Sequence, residues 1–398
     1  MRHLNRLGYI AIPLAYALHF LAKGASWEPT ATFILAGLGV IPLAHLMGQA
    51  TEHLTEKTGP TWGGLLNATF GNAAELIIAI IALSQGMNAI VQASLTGSIL
   101  GNLLLVAGVS MVAGGWKRES QSFNPHAAEN NAGMLTLAVG ALLFPAIFHH
   151  VASQMHDAEL DEHEWRISLL TSVVLLIVYA LGLLFTLRTH KHIFSSPPRH
   201  PDDPEYHGGH NDGDSWSTKK SVLVLLIASI GIGFIAELLV GSAELVAHRY
   251  GWNEIFVGVI LIAIIGNAAE HSTAVMLALR DDMDTAMTIT YQSSLQIALF
   301  ATPFLVLVSG AMVWFGVDKA THMTLMFSPM EVIAVFITVL VVVLIGMNGK
   351  TNWFEGVMLL ALYAILAIAF FYIPSARHAG YDDKTGDKAP AVPAVIAK

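Results

Sequence analysis

The segment GNAAELIIAIIAL at residues 71–83 and the segment GNAAEH at residues 266–271 decide the fold, because the same five residues recur in two long apolar stretches. The similarity extends outwards from both copies. ATEHLTEKTG at 50–59 matches SAELVAHRYG at 242–251, and GSILGNLLLV from residue 97 matches SSLQIALFAT from residue 293. A repeat of this kind predicts two structurally related halves.

The composition is that of a membrane protein. Of the 398 residues, 54% are hydrophobic and 12% are charged, whereas soluble domains carry about 25% charged residues. A helix needs roughly 20 apolar residues to cross the hydrocarbon core, and these runs are too uniform for the alternating strands of a membrane barrel. We predict eleven spans, near residues 9–22, 30–50, 63–84, 88–113, 132–149, 167–187, 221–246, 254–279, 285–315, 329–346 and 354–373.

The number of spans predicts an inverted repeat. Each half contains five spans, and an odd number places the halves in opposite orientations, as in many secondary transporters. We therefore predict an all-α membrane protein with eleven transmembrane helices, one N-terminal helix followed by two inverted five-helix repeats. The predicted boundaries are 1–28 for the N-terminal helix, 29–188 for the first repeat, 189–220 for a His- and acid-rich cytoplasmic linker, 221–374 for the second repeat and 375–398 for a polar tail.

The basic residues predict the orientation. With the N-terminus inside, twelve Lys and Arg residues fall on the inner side and four on the outer side before the tail, in agreement with the positive-inside rule. The C-terminus is then outside. We interpret the apolar N-terminal segment as the first membrane helix and not as a cleaved signal peptide, and we expect a multi-pass protein of a prokaryotic cytoplasmic membrane.

The composition also restricts the chemistry. The chain has no cysteine, which excludes disulfides, thiolate metal sites and thiol catalysis. The net charge is −9 and no basic stripe is present, so we expect no nucleic-acid partner.

Two loops are strongly polar. Either they are solvated surface, or the outer loop attracts cations and the inner linker senses metal or pH. The outer loop contains Asp157, Glu159, Asp161, Glu162 and Glu164, and the linker contains His190, His192, His200, His207 and His210.

The repeated motif places one carboxylate in each half within an apolar span, at Glu75 and Glu270. An ionised acid at a helix centre costs roughly 2.5–3.5 kcal/mol on insertion scales, and such acids are functional by default. The alternative is a protonated side chain that only bonds a neighbouring helix. Asn72 and Asn267 precede the acids by three residues and share their helix face.

Further polar residues complete an all-oxygen set of candidate ligands. Gly71 and Gly266 allow close backbone approach or exposed carbonyls. Polar residues follow at steps of four in the next spans, and they serve either as ligands or as hydrogen-bond partners between helices. Such a set suits a hard cation such as Ca²⁺. The candidate metal ligands are Glu75, Glu270, Asn72, Asn267, Ser98, Ser294, Gly71 and Gly266, with Ser94, Asn102, Gln292 and Gln296 as secondary polar lining.

Charge balance predicts exchange of Ca²⁺ for protons. Two glutamates are neutralised by one Ca²⁺ or by two protons, whereas the empty, doubly ionised pair is penalised in a low dielectric. A carrier that cannot reorient when empty must return with the other ion. We expect no cofactor. The expected partners are Ca²⁺, protons and the lipid bilayer, and the sequence leaves open whether the protein forms a homo-oligomer.

Four other residues are candidates for gating or for the proton path: Glu52, Glu244, Glu237 and His271. Glu52 and Glu244 match across the halves, while His271 follows Glu270 and has no counterpart in the first half. The alternative for the acids is that they cap helix ends at the wet interface. His271 either relays protons or bonds a neighbouring helix.

These motifs resemble the calcium/proton exchanger family of the cation/calcium exchanger superfamily. The resemblance rests on GNAAELI at 71–77, TGSILGNLLLVAG at 96–108, GNAAEH at 266–271, SSLQIALF at 293–300 and GKTNWFEGVMLL at 349–360. It implies eleven spans with the first outside the duplication, Ca²⁺ export against proton entry, and Glu75 and Glu270 as paired ion ligands. Sodium/calcium exchangers share the architecture but carry a Pro beside the acid, where this chain has Ala74 and Ala269.

Three other functions remain to be compared. The main rival is Na⁺- or K⁺-coupled exchange of calcium or another cation, which the missing acid-Pro pair argues against. A cation channel uses rings of acids from several subunits and does not need an inverted duplication. An intramembrane enzyme needs a His pair at metal spacing or a Gly-flanked serine nucleophile, which no span provides convincingly. We therefore predict a secondary transporter and not an enzyme.

Overall fold

The computed structural model describes residues 2–155, 159–194 and 216–373. Eleven helices, numbered here in chain order, account for most of these residues. They are α1 (Arg2–Leu21), α2 (Glu28–Phe70), α3 (Ala73–Ser84), α4 (Asn88–Gly115), α5 (Pro125–Gln154), α6 (Leu160–Thr189), α7 (Thr218–Tyr250), α8 (Glu254–Leu279), α9 (Met283–Trp314), α10 (Pro329–Gly346) and α11 (Trp353–Phe371). A short helix, Lys191–Phe194, follows α6.

The all-helical membrane architecture is confirmed. In the described residues, nine helices are long and apolar enough to cross a membrane, while the apolar part of α1, Leu7–Leu21, and the helix α3 are shorter. The span predicted at 63–84 is divided, because α2 continues to Phe70 and a turn at Gly71 and Asn72 separates it from α3. Beside the helices, a two-stranded antiparallel ribbon joins β1 (Gln121–Ser122) to β2 (Lys350–Thr351).

In the described residues, four helices contain a π-helical segment, and such segments often occur at functional sites. They are Gly101–Val106 in α4, Phe185–Thr189 in α6, Val257–Ile262 in α8 and Ile297–Ala301 in α9. The segments in α4 and α9 each begin three residues after the matched serines, Ser98 and Ser294. The two halves therefore share a backbone irregularity at equivalent positions, as well as sequence.

One group of chain segments meets around the ribbon, and we call this side the ribbon face. It joins part of α2 with the connections that follow α4, α6, α8 and α10. The contacts are Lys57 with the Trp216 carbonyl, Asn124 with the Ile193 carbonyl and the Asp284 carboxylate, Gln121 with the Asp281 carboxylate, and β1 with β2.

A second group of connections meets elsewhere, and we call this side the opposite face. It joins the start of α2 and the end of α11 with the connections that follow α3, α5, α7 and α9. The contacts are Asn88 with Thr321 and His322, Trp165 stacked on His322, Thr30 with Tyr250, and Asn253 with the carbonyls of Phe370 and Ile373. From the end of α3 onwards, the connections thus alternate between two groups along the chain.

The two halves pack closely where α4 crosses α8. A Cβ atom on Gly97 would overlap the backbone carbonyl of Val259 in the π-helical part of α8. Small residues at membrane helix crossings allow backbones to approach in this way. Gly97 therefore holds a helix of one half directly against the motif-bearing helix of the other.

Replacing Gly97 with Ala is expected to destabilise the protein by about 1–3 kcal/mol, because the added methyl group overpacks a backbone contact that has no room for it. Thermal unfolding of the detergent-purified protein measures the effect. Gly140→Ala on α5 is the matched control, since a Cβ at that position meets nothing within 4 Å. Equal or higher stability of the Gly97 variant would contradict the close crossing.

Candidate functional site

The repeated motif has a different backbone setting in each half. In the first half, Gly71 and Asn72 form the turn before α3, so Glu75 lies in the first turn of that helix. In the second half, all five motif residues lie inside α8, after its π-helical segment. The identical sequence therefore does not produce identical local structure.

The motif asparagines connect the halves. The amide nitrogen of Asn72 donates to Oε1 of Gln296 in α9 at 2.8 Å, and that of Asn267 donates to the Ser98 hydroxyl in α4 at 2.8 Å. Each asparagine is buried and crosses to the span that follows the other motif. The structure thus joins four of the predicted residues in two pairs between the halves.

The same asparagines each present an oxygen without a hydrogen-bond partner among the described residues. These oxygens are Oδ1 of Asn72 and Oδ1 of Asn267, and both are buried. An unsatisfied buried acceptor is costly, and most buried polar groups in proteins avoid it. Amide oxygens of this kind are among the ligands that Ca²⁺ takes.

The two motif glutamates approach the same region. A Cβ atom on Gly266 would lie 3.2 Å from Cγ and 3.9 Å from Oε1 of Glu75, so the first acid rests on the glycine of the second motif. Oε2 of Glu270 accepts a hydrogen bond from the Ser293 hydroxyl at 2.5 Å. Carboxylate, amide and hydroxyl oxygens therefore collect where the halves meet.

Several predicted polar residues bond elsewhere. The hydroxyl of Ser294 donates to the Thr290 carbonyl, and that of Ser94 to the Val91 carbonyl, both at 2.9 Å within their own helices. Gln292 donates to Asn131 of α5 at 3.3 Å. These hydrogen bonds therefore do not connect Ser294, Ser94 or Gln292 to the residues of the repeated motif.

Ser293, which the sequence prediction missed, is the serine bonded to Glu270. The aligned sequence placed Ser98 on Ser294, and a shift of one residue turns a helical side chain by about 100°. The adjacent serines at 293 and 294 were the available signal, and only the helix rotation selects between them.

The predicted gate residues lie apart from these contacts. Glu52 and Glu237 are exposed, and Glu244 pairs with His248 one turn later on α7 at 3.7 Å. His271 lies near α4, where a Cβ on Gly101 would be 3.9 Å from its ring, and its Nε2 is buried without a partner among the described residues. The amide nitrogen of Asn102 is also buried without a hydrogen-bond partner among the described residues.

The acidic loop is not uniformly solvated surface. Glu164 is buried and pairs with Nδ1 of His149 at 2.5 Å, while Glu162 pairs with Arg166. Asp157 lies outside the described residues, as do His200, His207 and His210 of the linker and the tail predicted at 375–398. Glu164 is thus held by a histidine, which the run of acids did not predict.

The described residues contain no group of three or more His, Cys, Asp or Glu that could hold a metal ion. The candidate site instead combines two carboxylates with neutral oxygens. That composition fits Ca²⁺, which takes carboxylate, amide and carbonyl oxygens.

Comparison with known proteins identifies the family. A family model described as sodium/calcium exchanger protein matches residues 28–188 and 220–372. The chain is 42% identical over 373 residues to a Ca²⁺/H⁺ antiporter of Synechocystis, covering 91% of this chain and 95% of the relative. It is 40% identical over 375 residues to the Ca²⁺/H⁺ antiporter ChaA of Bacillus subtilis, covering 93% and 100%.

A solved structure agrees with the sequence comparisons. Native YfkE superposes with a TM-score of 0.75 at 37% identity, covering 93% of this chain and 100% of that one. The resemblance inferred from the motifs is therefore confirmed. Both the family model and the relatives extend over nearly all the described helices, and the chain belongs to the sodium/calcium exchanger protein family.

Proposed function

We propose that the protein is a secondary active transporter that exchanges cytoplasmic Ca²⁺ for external protons at a site formed by Glu75 and Glu270. The observation that carries this proposal is the pair of buried oxygens of Asn72 and Asn267, which have no hydrogen-bond partner among the described residues and lie three positions before the two acids in the same motif. The names of the Synechocystis and Bacillus relatives, both Ca²⁺/H⁺ antiporters, support the same exchange.

The charges of the site favour a divalent cargo. One Ca²⁺ neutralises both carboxylates, and so do two protons, whereas an empty ionised pair is unfavourable in a low dielectric. A carrier that has released one cargo can therefore return only after it has bound the other. This coupling needs neither a cofactor nor catalysis of a covalent reaction.

We propose eleven membrane spans, with α2–α6 and α7–α11 as inverted repeats. The two groups of connections support this topology, because successive connections alternate between the ribbon face and the opposite face. The N-terminus would lie on the ribbon side and the C-terminus on the other. Basic residues favour the ribbon face as cytoplasmic, with Lys57, Lys117, Arg118, Arg280 and Lys350 there, and Lys23, Arg166, Arg249 and Lys319 on the opposite side.

The unequal settings of the two motifs support alternating access. One motif begins a helix at a turn, while the other lies within a continuous helix. If the halves are inverted repeats, a conformational change in which each motif adopts the backbone conformation of the other would open the site to the opposite side of the membrane. The site itself stays between the halves, near the middle of the membrane.

Transport into sealed vesicles tests the proposal. The full-length protein is reconstituted with an imposed pH gradient, and uptake of radioactive Ca²⁺ is followed while Na⁺ and K⁺ are varied separately. Uptake that depends on the pH gradient and not on Na⁺ or K⁺ is expected. The second candidate, Na⁺- or K⁺-coupled exchange, is suggested by the family description and predicts the reverse dependence.

A further inference from the structure

Another acidic side chain, Glu331, lies buried in the first turn of α10, with 3% of its surface exposed. Its Oε2 accepts the Ser328 backbone N–H at 3.0 Å, as part of a capping box. Its Oε1 accepts the hydroxyl of Thr96 in α4 at 3.1 Å. The cap therefore accounts for one carboxylate oxygen, and the other contacts the helix that also carries Ser98.

The Glu331 carboxylate reaches α4 close to the depth of the candidate site. Thr96 is eight residues beyond Asn88, at which α4 begins on the opposite face, a rise of about 12 Å. Ser98, which bonds the motif residue Asn267, is only about 3 Å further along the axis. Glu331 thus lies between the proposed outer surface and the paired glutamates.

An acid is not required to hold these two helices together. The alignment that places Ser98 on Ser294 places Thr96 on Gln292, and Gln292 bonds Asn131 of α5 at 3.3 Å. In the second half, the equivalent span therefore makes its contact through two neutral amides. The carboxylate at 331 is a specific feature of the proposed outer side.

The contacts of Glu331 suit both of its protonation states. The Thr96 hydroxyl donates to the carboxylate, and it can rotate to accept when Oε1 carries a proton. Oε2 continues to accept from Ser328 in either state. One proton taken from outer water produces the acid, and its transfer to the glutamate pair restores the carboxylate, so no other reactant is needed.

Few ionisable groups lie on the elements packed against α10. Helix α4 carries none, and Glu331 is the only one on α10 itself. The others are Tyr291 on α9, whose hydroxyl lies against Gly346 of α10, His126, Glu129, His149 and His150 on α5, Glu355 and Tyr363 on α11, Lys350 on β2, and Asp318, Lys319 and His322 on the segment before α10.

We propose that Glu331 accepts protons on the outer access path to the paired glutamates. This inference rests on the exchange function proposed above. It assigns Glu331 a role in proton delivery and not in binding Ca²⁺.

Glu331→Gln in reconstituted full-length protein is the decisive variant. Glutamine can accept the Ser328 N–H through its oxygen and donate to Thr96 through its nitrogen, so both contacts survive. Calorimetric Ca²⁺ binding is expected to match the wild type, whereas proton-driven exchange falls about a hundredfold or more, the lower end of the range for loss of a positioned proton-transfer group. The rate should also lose its dependence on the pH of the outer side.

Glu355→Gln is the matched control, because Glu355 occupies the same capping-box position, with Asn352, at the start of α11. It should exchange as the wild type does. A Glu331→Gln protein with wild-type rate and pH profile would reduce Glu331 to a helix cap and overturn the inference. A wild type without any exchange would instead overturn the proposed function, and this inference with it.

Thr96 provides a second test if Glu331→Gln does not fold. Thr96→Val removes the hydroxyl while keeping the side-chain shape, and Thr96→Ser keeps the hydroxyl. We expect slower exchange and a flatter outer pH profile for Val only. Equal pH profiles and rates for the two variants would show that the contact plays no part in proton delivery.

Discussion

Glu75→Gln and Glu270→Gln are each expected to reduce Ca²⁺ exchange to the level of protein-free vesicles while leaving the protein inserted and folded. Glutamine preserves the shape of the side chain but removes the charge that a divalent ion must meet. Removing one partner of a buried charge contact costs about 2–5 kcal/mol of binding free energy, which corresponds to about one to four powers of ten in affinity. Vesicle uptake measures the loss of exchange, and calorimetry measures the loss of Ca²⁺ affinity.

Glu129→Gln provides the control for this pair. Glu129 is an exposed acid on α5, so the same chemical change there should leave both uptake and affinity unaltered. Near wild-type exchange by either motif variant would remove that glutamate from the proposed site. A loss of folding can be recognised by size-exclusion chromatography before transport is measured.

The apparent Ca²⁺ affinity is expected to fall steeply as the pH decreases, while maximal occupancy at saturating Ca²⁺ is unchanged. A carboxyl that holds a proton has no negative charge to offer the metal, so the two ligands exclude each other. If both glutamates are protonated before Ca²⁺ arrives, two protons leave for each ion bound. The logarithm of the apparent affinity should then rise with pH with a slope of about two, and flatten where the empty site is already ionised.

Calorimetry at a series of pH values on detergent-purified protein tests this competition. Because the acids face one ion, their titrations are coupled and describe the pair as a whole. A slope near zero across the acidic range would mean that protons use a separate route. Glu331 and His271 would then be the first residues to examine for that route.

The sequence alone determined the class of the protein and indicated the candidate site residues. Hydrophobic runs of span length and the low charge content indicate membrane helices, because the cost of burying charge in lipid acts on composition itself. The duplicated GNAAE segments located Glu75, Glu270, Asn72 and Asn267. The family resemblance found from these motifs was then confirmed by the comparisons.

Only the tertiary structure decided which side chains meet. It bonds Ser293, and not Ser294, to Glu270, and it pairs Gln296 with Asn72. The two copies of GNAAE are identical in sequence, so the sequence could not predict that a helix, α3, begins within the first copy while α8 continues through the second. The contact of Glu331 with Thr96 is a further example, because the sequence position of Glu331 indicates only a helix cap. The physical reason is common to all four: contacts between helices depend on rotation, depth and the neighbouring half, whereas sequence periodicity describes one helix at a time.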